Sequence, residues 1–442
     1  MRILLKVVLF ILLLPIIYLV VINLLPDEEL SAGAKEWLKP EPITVPKDQN
    51  SYYLLWGLDA PVGVDMREYG EARVARIGEV EASGAGAASD YMPAGYKESD
   101  LIKTKGVMEL CSPINELCLE RYQRDGMKVL QEGVNPLLLD RYRQLIAQPH
   151  YQRVSPHGLY TPIVPLGVLR ASHRLHLMAL VSRYQQGNRA ETLEQLAQLM
   201  RFNRMLITKS DILIDRMIAL TLLGDTLHTY SQLLESELPS DKLRKEIDEI
   251  SELNPDETSF ESVLRGELRF MANSLDTALK GDDSDFAEMV ARGSLPINHN
   301  RIINRAYQNH RRVSAMVSSP PSEILQKSAE IRAEVMVDHW GYLRDPLTSF
   351  LIDIGSADLS QYILKHKDLN ALIRLLKLKA QIKKEGVSKE NIDAFIASSP
   401  YASAYPDEMA PVRWEPGEQA LIFGSAMGEK ANKRNRIFFQ PD

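Results

Sequence analysis

The sequence predicts a mainly α protein: an irregular antiparallel helical bundle with a short C-terminal β-hairpin or three-stranded sheet, preceded by one transmembrane helix. Three observations predict this class. Apolar residues recur at helical spacing from Asn135 onward, apolar segments flank a Pro416-Gly417 turn near the C-terminus, and residues 7–25 near the N-terminus are 19 residues without charge. With 442 residues, 45% apolar and 25% charged, the chain can bury one large core or fold as two or three domains. That composition excludes disordered, collagenous, low-complexity and multi-pass membrane classes. A net charge of −7 argues against a nucleic-acid partner, because phosphate binding needs a basic face. Two cysteines exclude a disulfide-rich mini-scaffold and any four-cysteine metal site made by this chain alone.

The opening run, Val7 to Leu25, contains one amide, Asn23, and no charge. As a helix rising ~1.5 Å per residue it spans roughly 28 Å, close to the ~30 Å hydrocarbon core of a bilayer. Pro15 would kink such a helix without breaking the span. Arg2 and Lys6 precede the run and Asp27, Glu28 and Glu29 follow it, so the positive-inside rule leaves the N-terminus in the cytoplasm. The expectation is a single-pass inner-membrane protein with its body in the periplasm or extracytoplasmic space and the lipid bilayer as partner through residues 7–25. An uncleaved signal-anchor is preferred to a cleaved signal peptide, because the run is long and does not end in small residues.

Four parts follow from composition: the anchor at 1–26, an acidic membrane-proximal region at 27–132, a helical domain at 133–398 and a β-containing segment at 399–442. Residues 26–46 read as a Pro-, Lys- and Glu-rich linker. Tyr52 to Leu58, YYLLWGL, should sit against a core. Residues 27–100 hold 15 acidic against seven basic side chains, a net of −8, which repels anionic headgroups. ASGAGAA at 82–88 lacks large side chains and reads as a loop.

Helices come next. Leu137, Leu138, Tyr142 and Leu145 share one face. Leu166, Leu169, His173, Leu177, Leu180 and Tyr184 mark a longer helix stopped by Gly187-Asn188. Leu193, Leu196 and Met200 mark a third. A fourth, from Ile212 to Glu237, is apolar on nearly all sides to Leu223 and should be central. Phe260 to Leu275, Ile302 to Val313, Ile324 to Val337 and Leu359 to Lys384 complete the set. The ~34-residue period of tetratricopeptide repeats is absent. Val412 to Trp414 and Ala420 to Phe423 then read as a hairpin, with Arg436 to Phe439 as a third strand.

Candidate chemistry is sparse. Cys111 and Cys118 would pair in an oxidising compartment, closing a short loop. His173 and His176 share a helix face and could reach one metal, but Arg170 and Arg174 place positive charge beside them, so a structural role is preferred. Asp282, Asp283 and Asp285 lack the spacing and glycine of a calcium loop; Asp285 with Glu288 reads instead as a capping box. Asp215, Arg216, Asp225 and His228, on the most apolar helix, read as structural ion pairs before catalytic ones. From Arg292 to Ser322 there are five Arg and two His and no acid, a basic face for an acidic partner or for the acidic region of the same chain. His-Glu-x-x-His, Gly-x-Ser-x-Gly, Ser-x-x-Lys and phosphate-loop motifs are missing, and no cofactor is expected.

Six segments carry a resemblance. YYLLWGLDAPVGVD at 52–65, the Cys111/Cys118 pair, LLDRYRQLIAQPHY at 138–151, the run at 186–217, LPINHNRIINRAY at 295–307 and APVRWEPGEQALIF at 410–423 resemble an uncharacterised family of membrane-anchored bacterial envelope proteins. The resemblance implies a tethered helical envelope protein and no particular reaction. The functional expectation is therefore a membrane-tethered extracytoplasmic binding or scaffold module with a protein partner in the envelope. The alternative is an envelope hydrolase with a cleft between helices that uses scattered carboxylate and His residues.

Overall fold

A computed structural model describes residues 13–15, 17, 18, 21, 26–83, 91–104, 111–114, 116–236, 240–280, 297–336, 348, 349, 352, 359–408, 410–426 and 435–440. Among these the chain is a mainly α bundle with a three-stranded antiparallel sheet near its C-terminus. The expected transmembrane helix is corrected: no helix of the described residues is long and apolar enough to cross a membrane. Most of the run 7–25 lies outside the described residues. The bilayer partner, the signal-anchor and the single-pass inner-membrane location rest on that run alone and are withdrawn with it.

The region expected as a linker contains α1 (Ala32–Leu38), begun by Ser31, whose hydroxyl accepts from the Ala34 amide at 3.2 Å. Trp37 explains why it is ordered: its ring is 3% exposed and meets Tyr307 edge-on at 5.1 Å. The YYLLWGL block forms α2 (Ser51–Gly57), capped by Asn50 and buried at every position. It packs on α3 (Met66–Ser83), where Gly70 admits contact that no larger residue would: a Cβ there would run into the Tyr53 carbonyl.

The main layer consists of α4 (Leu119–Gln131), α5 (Asn135–Ile146), α6 (Leu166–Gln185), α7 (Arg189–Lys209) and α8 (Leu213–Leu233). The turn between α6 and α7 needs a left-handed residue, and Gly187 supplies it with φ 95°. α8 is buried almost continuously from Ala219 to Leu233, because α7 and the long α14 (Ser360–Glu385) both pack against it. Between α8 and α14 come α9 (Asp241–Glu249), α10 (Pro255–Thr258), α11 (Glu261–Lys280), α12 (His299–Ala315) and α13 (Pro321–Met336). After α14, α15 (Ile392–Ser398) leads into β1 (Arg413–Glu415), β2 (Ala420–Ile422) and β3 (Arg436–Phe438). Trp414 stands opposite Leu421, and Leu421 opposite Ile437, on the buried face.

Two cores result. The larger joins Tyr52, Trp56, Tyr142, Leu223, Leu376 and Ile437, so residues far apart in the chain share one interior. The smaller collects Trp37, Phe260, Leu264, Ile303, Ile324 and Ile363. Burying one such side chain is worth about 1.5–3 kcal/mol. The acidic start of the chain also has a partner: Asp27 accepts from the Asn300 and Arg301 amides at 2.7 and 3.2 Å, capping the first turn of α12.

Candidate active site

A cluster of polar side chains lies at a corner where α8 begins, α11 passes and the segment 150–165 crosses between them. Three elements pin that segment. Asn50, ahead of α2, donates its amide to the Gln152 carbonyl at 2.8 Å and accepts from the Gln152 N–H at 2.9 Å. Glu81 of α3 accepts from the Thr161 hydroxyl at 3.1 Å, and Asn273 of α11 donates to the His157 carbonyl. Gly266 brings α11 against the backbone before α8, where a Cβ would strike the Asp211 carbonyl. The next residue, Glu267, thereby accepts the Leu213 amide at 2.7 Å at the first turn of α8.

Between these elements lies a cavity of about 330 Å³. Arg153, His157 and Glu267 provide its polar wall; Ile163, Ile214 and Phe270 stand among its apolar residues. His157 Nε2 is 2.8 Å from Asp211 Oδ2, while Arg153 Nε donates to Asp211 Oδ1 at 3.0 Å. The same guanidinium donates through Nη2 to Asp215 Oδ2 at 2.7 Å, and that oxygen also accepts from the Tyr151 hydroxyl at 3.1 Å. One chain of contacts thus runs from Tyr151 through Asp215, Arg153 and Asp211 to His157. The other ring nitrogen, His157 Nδ1, makes no hydrogen bond among the described residues.

The electrostatics separate the three carboxyl groups. Burial raises Asp211, but the His157 hydrogen bond and the Arg153 charge outweigh it, and the group lies below the usual carboxylate range. For Asp215 burial wins over Arg153 and the group is raised; its Oδ1 is buried without a hydrogen-bond partner among the described residues. Burial also raises Glu267, against the Leu213 amide and the nearby His157 and Arg153. The carboxyl group held by His157 is thus shifted down, while Glu267, which lines the cavity with His157, is shifted up.

The residues singled out from the sequence have different fates. Asp215 joins this network. Arg216, its neighbour, turns away, donating through Nη2 to the Glu257 carbonyl and through Nε to His366 Nε2, and burial pushes it down to about 10. Asp225 and His228 are buried farther along α8, at least ~15 Å of helix from Asp215, outside the cavity lining. His173 and His176 are buried beside Tyr142, whose hydroxyl lies 2.8 Å from His173 Nδ1. Burial, reinforced by neighbouring positive groups that include Arg174 beside His173 and Arg143 beside His176, pushes both imidazoles down to about 3. Asp282, Asp283, Asp285 and Glu288 lie outside the described residues.

Cys111 and Cys118 are joined by a disulfide, with Cα atoms 5.7 Å apart. Glu116 completes a group whose potential ligand atoms lie within 4.8 Å of one another. Sulfurs bonded to each other are not thiolates, so in this state the group presents a metal with one exposed carboxylate.

Compared with known proteins, the chain matches no family model, no curated protein and no solved structure. The resemblance to membrane-anchored envelope proteins is overturned by this result together with the lack of a spanning helix among the described residues. Fold and site together define a helical bundle with a cleft lined by Arg153, His157 and Glu267. Sequence reasoning missed Arg153, His157, Asp211 and Glu267. The available signals were weak: His157 stands in a Pro-His-Gly turn and Asp211 just ahead of a helix, while the contacts joining the four span up to 58 residues for Arg153 and Asp211.

Proposed function

We propose that the chain is a hydrolase acting in the cleft between α8, α11 and the segment 150–165. This replaces the membrane-tethered scaffold, whose anchor and envelope partner lack support in the structure. The observation that carries the reading is that His157, held by Asp211, and Glu267 line one cavity. His157 takes a proton from water through Nδ1, with Asp211 holding the ring and stabilising the imidazolium. The hydroxide equivalent attacks an acyl carbon, and Glu267 gives its proton to the leaving oxygen or nitrogen. The products are a carboxylic acid and an alcohol or amine; solvent returns the proton from His157 to Glu267. Arg153 stays bound to Asp211 and Asp215 and keeps the pair in place.

The test is hydrolysis of neutral aryl esters and anilides by the full-length chain, with H157N and E267Q alongside. Both variants should lower kcat by about a hundredfold or more, the usual scale of general acid–base catalysis. E267Q keeps an oxygen for the Leu213 amide, so its thermal melting should match the parent. No turnover by the parent, or turnover unchanged in both variants, would overturn the proposal.

A further inference from the structure

The mouth of the cleft carries an unusual share of exposed apolar surface. Ile163 is 57% exposed, and Ile214 and Phe270 are each 39% exposed, though all three border the same cavity. Leu159, 47% exposed, comes from the same crossing segment. Leaving such side chains in water has no benefit to folding, and a cluster beside convergent polar groups is the mark of a ligand surface.

Charge narrows the ligand further. Among the cavity-lining residues Arg153 and His157 are the basic ones. Arg153 is already engaged by Asp211, Asp215, Ser155 and Tyr52, and its guanidinium lies 5.6 Å from the Tyr52 ring centre. His157 is held by Asp211. The guanidinium, paired with Asp211 and Asp215, thus has little left to offer a ligand. An arriving anion would lose its water and find no free cation on the lining to replace the loss.

We propose that this cleft accepts an apolar, aryl-sized group bearing no negative charge, placed against Ile163, Ile214 and Phe270 with its polar end toward His157 and Glu267. A cavity of about 330 Å³ matches the size: at ~30 Å³ per water-sized unit it holds on the order of ten non-hydrogen atoms. The inference rests on the hydrolase reading for its substrate but is tested by binding alone.

Two probes of equal size separate the charge term: N-benzylacetamide, which is neutral, and 3-phenylpropionate, which is anionic. Titration of the full-length chain at pH 7.5, followed by saturation-transfer NMR, should give N-benzylacetamide a Kd on the order of 1 mM, within reach of so small a ligand, and 3-phenylpropionate one at least about tenfold weaker. I214D and F270S, at half-exposed positions, should abolish N-benzylacetamide binding while melting like the parent. Equal or tighter binding of 3-phenylpropionate, no binding of N-benzylacetamide, or binding that survives both I214D and F270S would overturn the inference. If N-benzylacetamide binds as expected but no ester or anilide is turned over, the hydrolase reading fails and the ligand class stands. Turnover confined to anionic substrates would do the reverse.

Discussion

At the scale of single residues, the interior is decided by how buried polar groups are satisfied. Lys379 is fully buried, and burial lowers it to about 8 despite Glu235 at 2.6 Å. Its ammonium also donates to the Ser231 carbonyl at 2.9 Å and the Phe438 carbonyl at 2.6 Å, tying α8, α14 and β3 together. K379M should destabilise the chain by about 1–3 kcal/mol in chemical unfolding, because the Ser231 and Phe438 carbonyls lose a charged donor while Glu235 keeps Lys383 at 2.7 Å. His176 presents the opposite case, with neither ring nitrogen hydrogen-bonded among the described residues. H176L should cost little at pH 7.5, since leucine fills the site without a polar group to desolvate. Neither behaviour was legible from Lys379 or His176 as letters, because both depend on what faces them from other helices.

At the scale of elements, two local devices hold the bundle, the second of them beside the site. The disulfide closes a loop beneath α4, where the Cys118 amide donates to Gln232 of α8 at 2.9 Å and the Tyr122 hydroxyl to the Cys111 carbonyl at 2.9 Å. For so short a loop, replacing both cysteines by serine should cost roughly 2–3 kcal/mol of unfolding free energy by the chain-entropy estimate. A protein whose melting is indifferent to reductant would contradict this. Gly266 is the second device. G266A adds a methyl directed at the Asp211 carbonyl, so α11 must move away and carry Glu267 from Leu213. The expected result is reduced hydrolysis with a shifted pH profile; an unchanged profile would show that the corner tolerates the shift. Helix positions themselves were readable in advance. Leu166 to Tyr184 fell within α6 and Leu359 to Lys384 closely matched α14, because both had enough apolar spacing to show a face. The helix α3 went unread, since glycine, arginine and glutamate dilute its apolar face and its order comes from contact with α2.

Over the whole molecule, pH acts through buried histidines. His173 and His176 are lowered to about 3 and His310 to about 4, first by burial, and His366 is also lowered by burial and then by Arg216. Their folded values lie below the unfolded value of 6.5, so the unfolded chain binds protons that the fold refuses. This stability is fully present above pH 6.5 and is lost as pH falls toward the folded values, by about 1.4 kcal/mol per pH unit for each histidine. Asp59, Asp215 and Asp368 are raised by burial and work in the opposite sense, gaining protons in the fold before the unfolded chain does. The melting temperature should therefore fall between pH 7 and pH 5, and H176L should fall less steeply than the parent. A melting temperature independent of pH in this window would refute the balance drawn here.

Sequence alone determined the helical class, the spans of the long helices and the C-terminal hairpin with its third strand, because periodicity and turn chemistry act over a few neighbouring residues. The charge-free run near the N-terminus was read as a span; most of it lies outside the described residues, which contain no helix long and apolar enough to cross a membrane. The cleft was decided by tertiary structure. His157 comes from a turn, Asp211 from the corner before α8 and Glu267 from the middle of α11, and none carries a local signature. What unites them is backbone contact at Gly266 and an arginine shared between two aspartates, interactions whose energy exists only once the helices have packed.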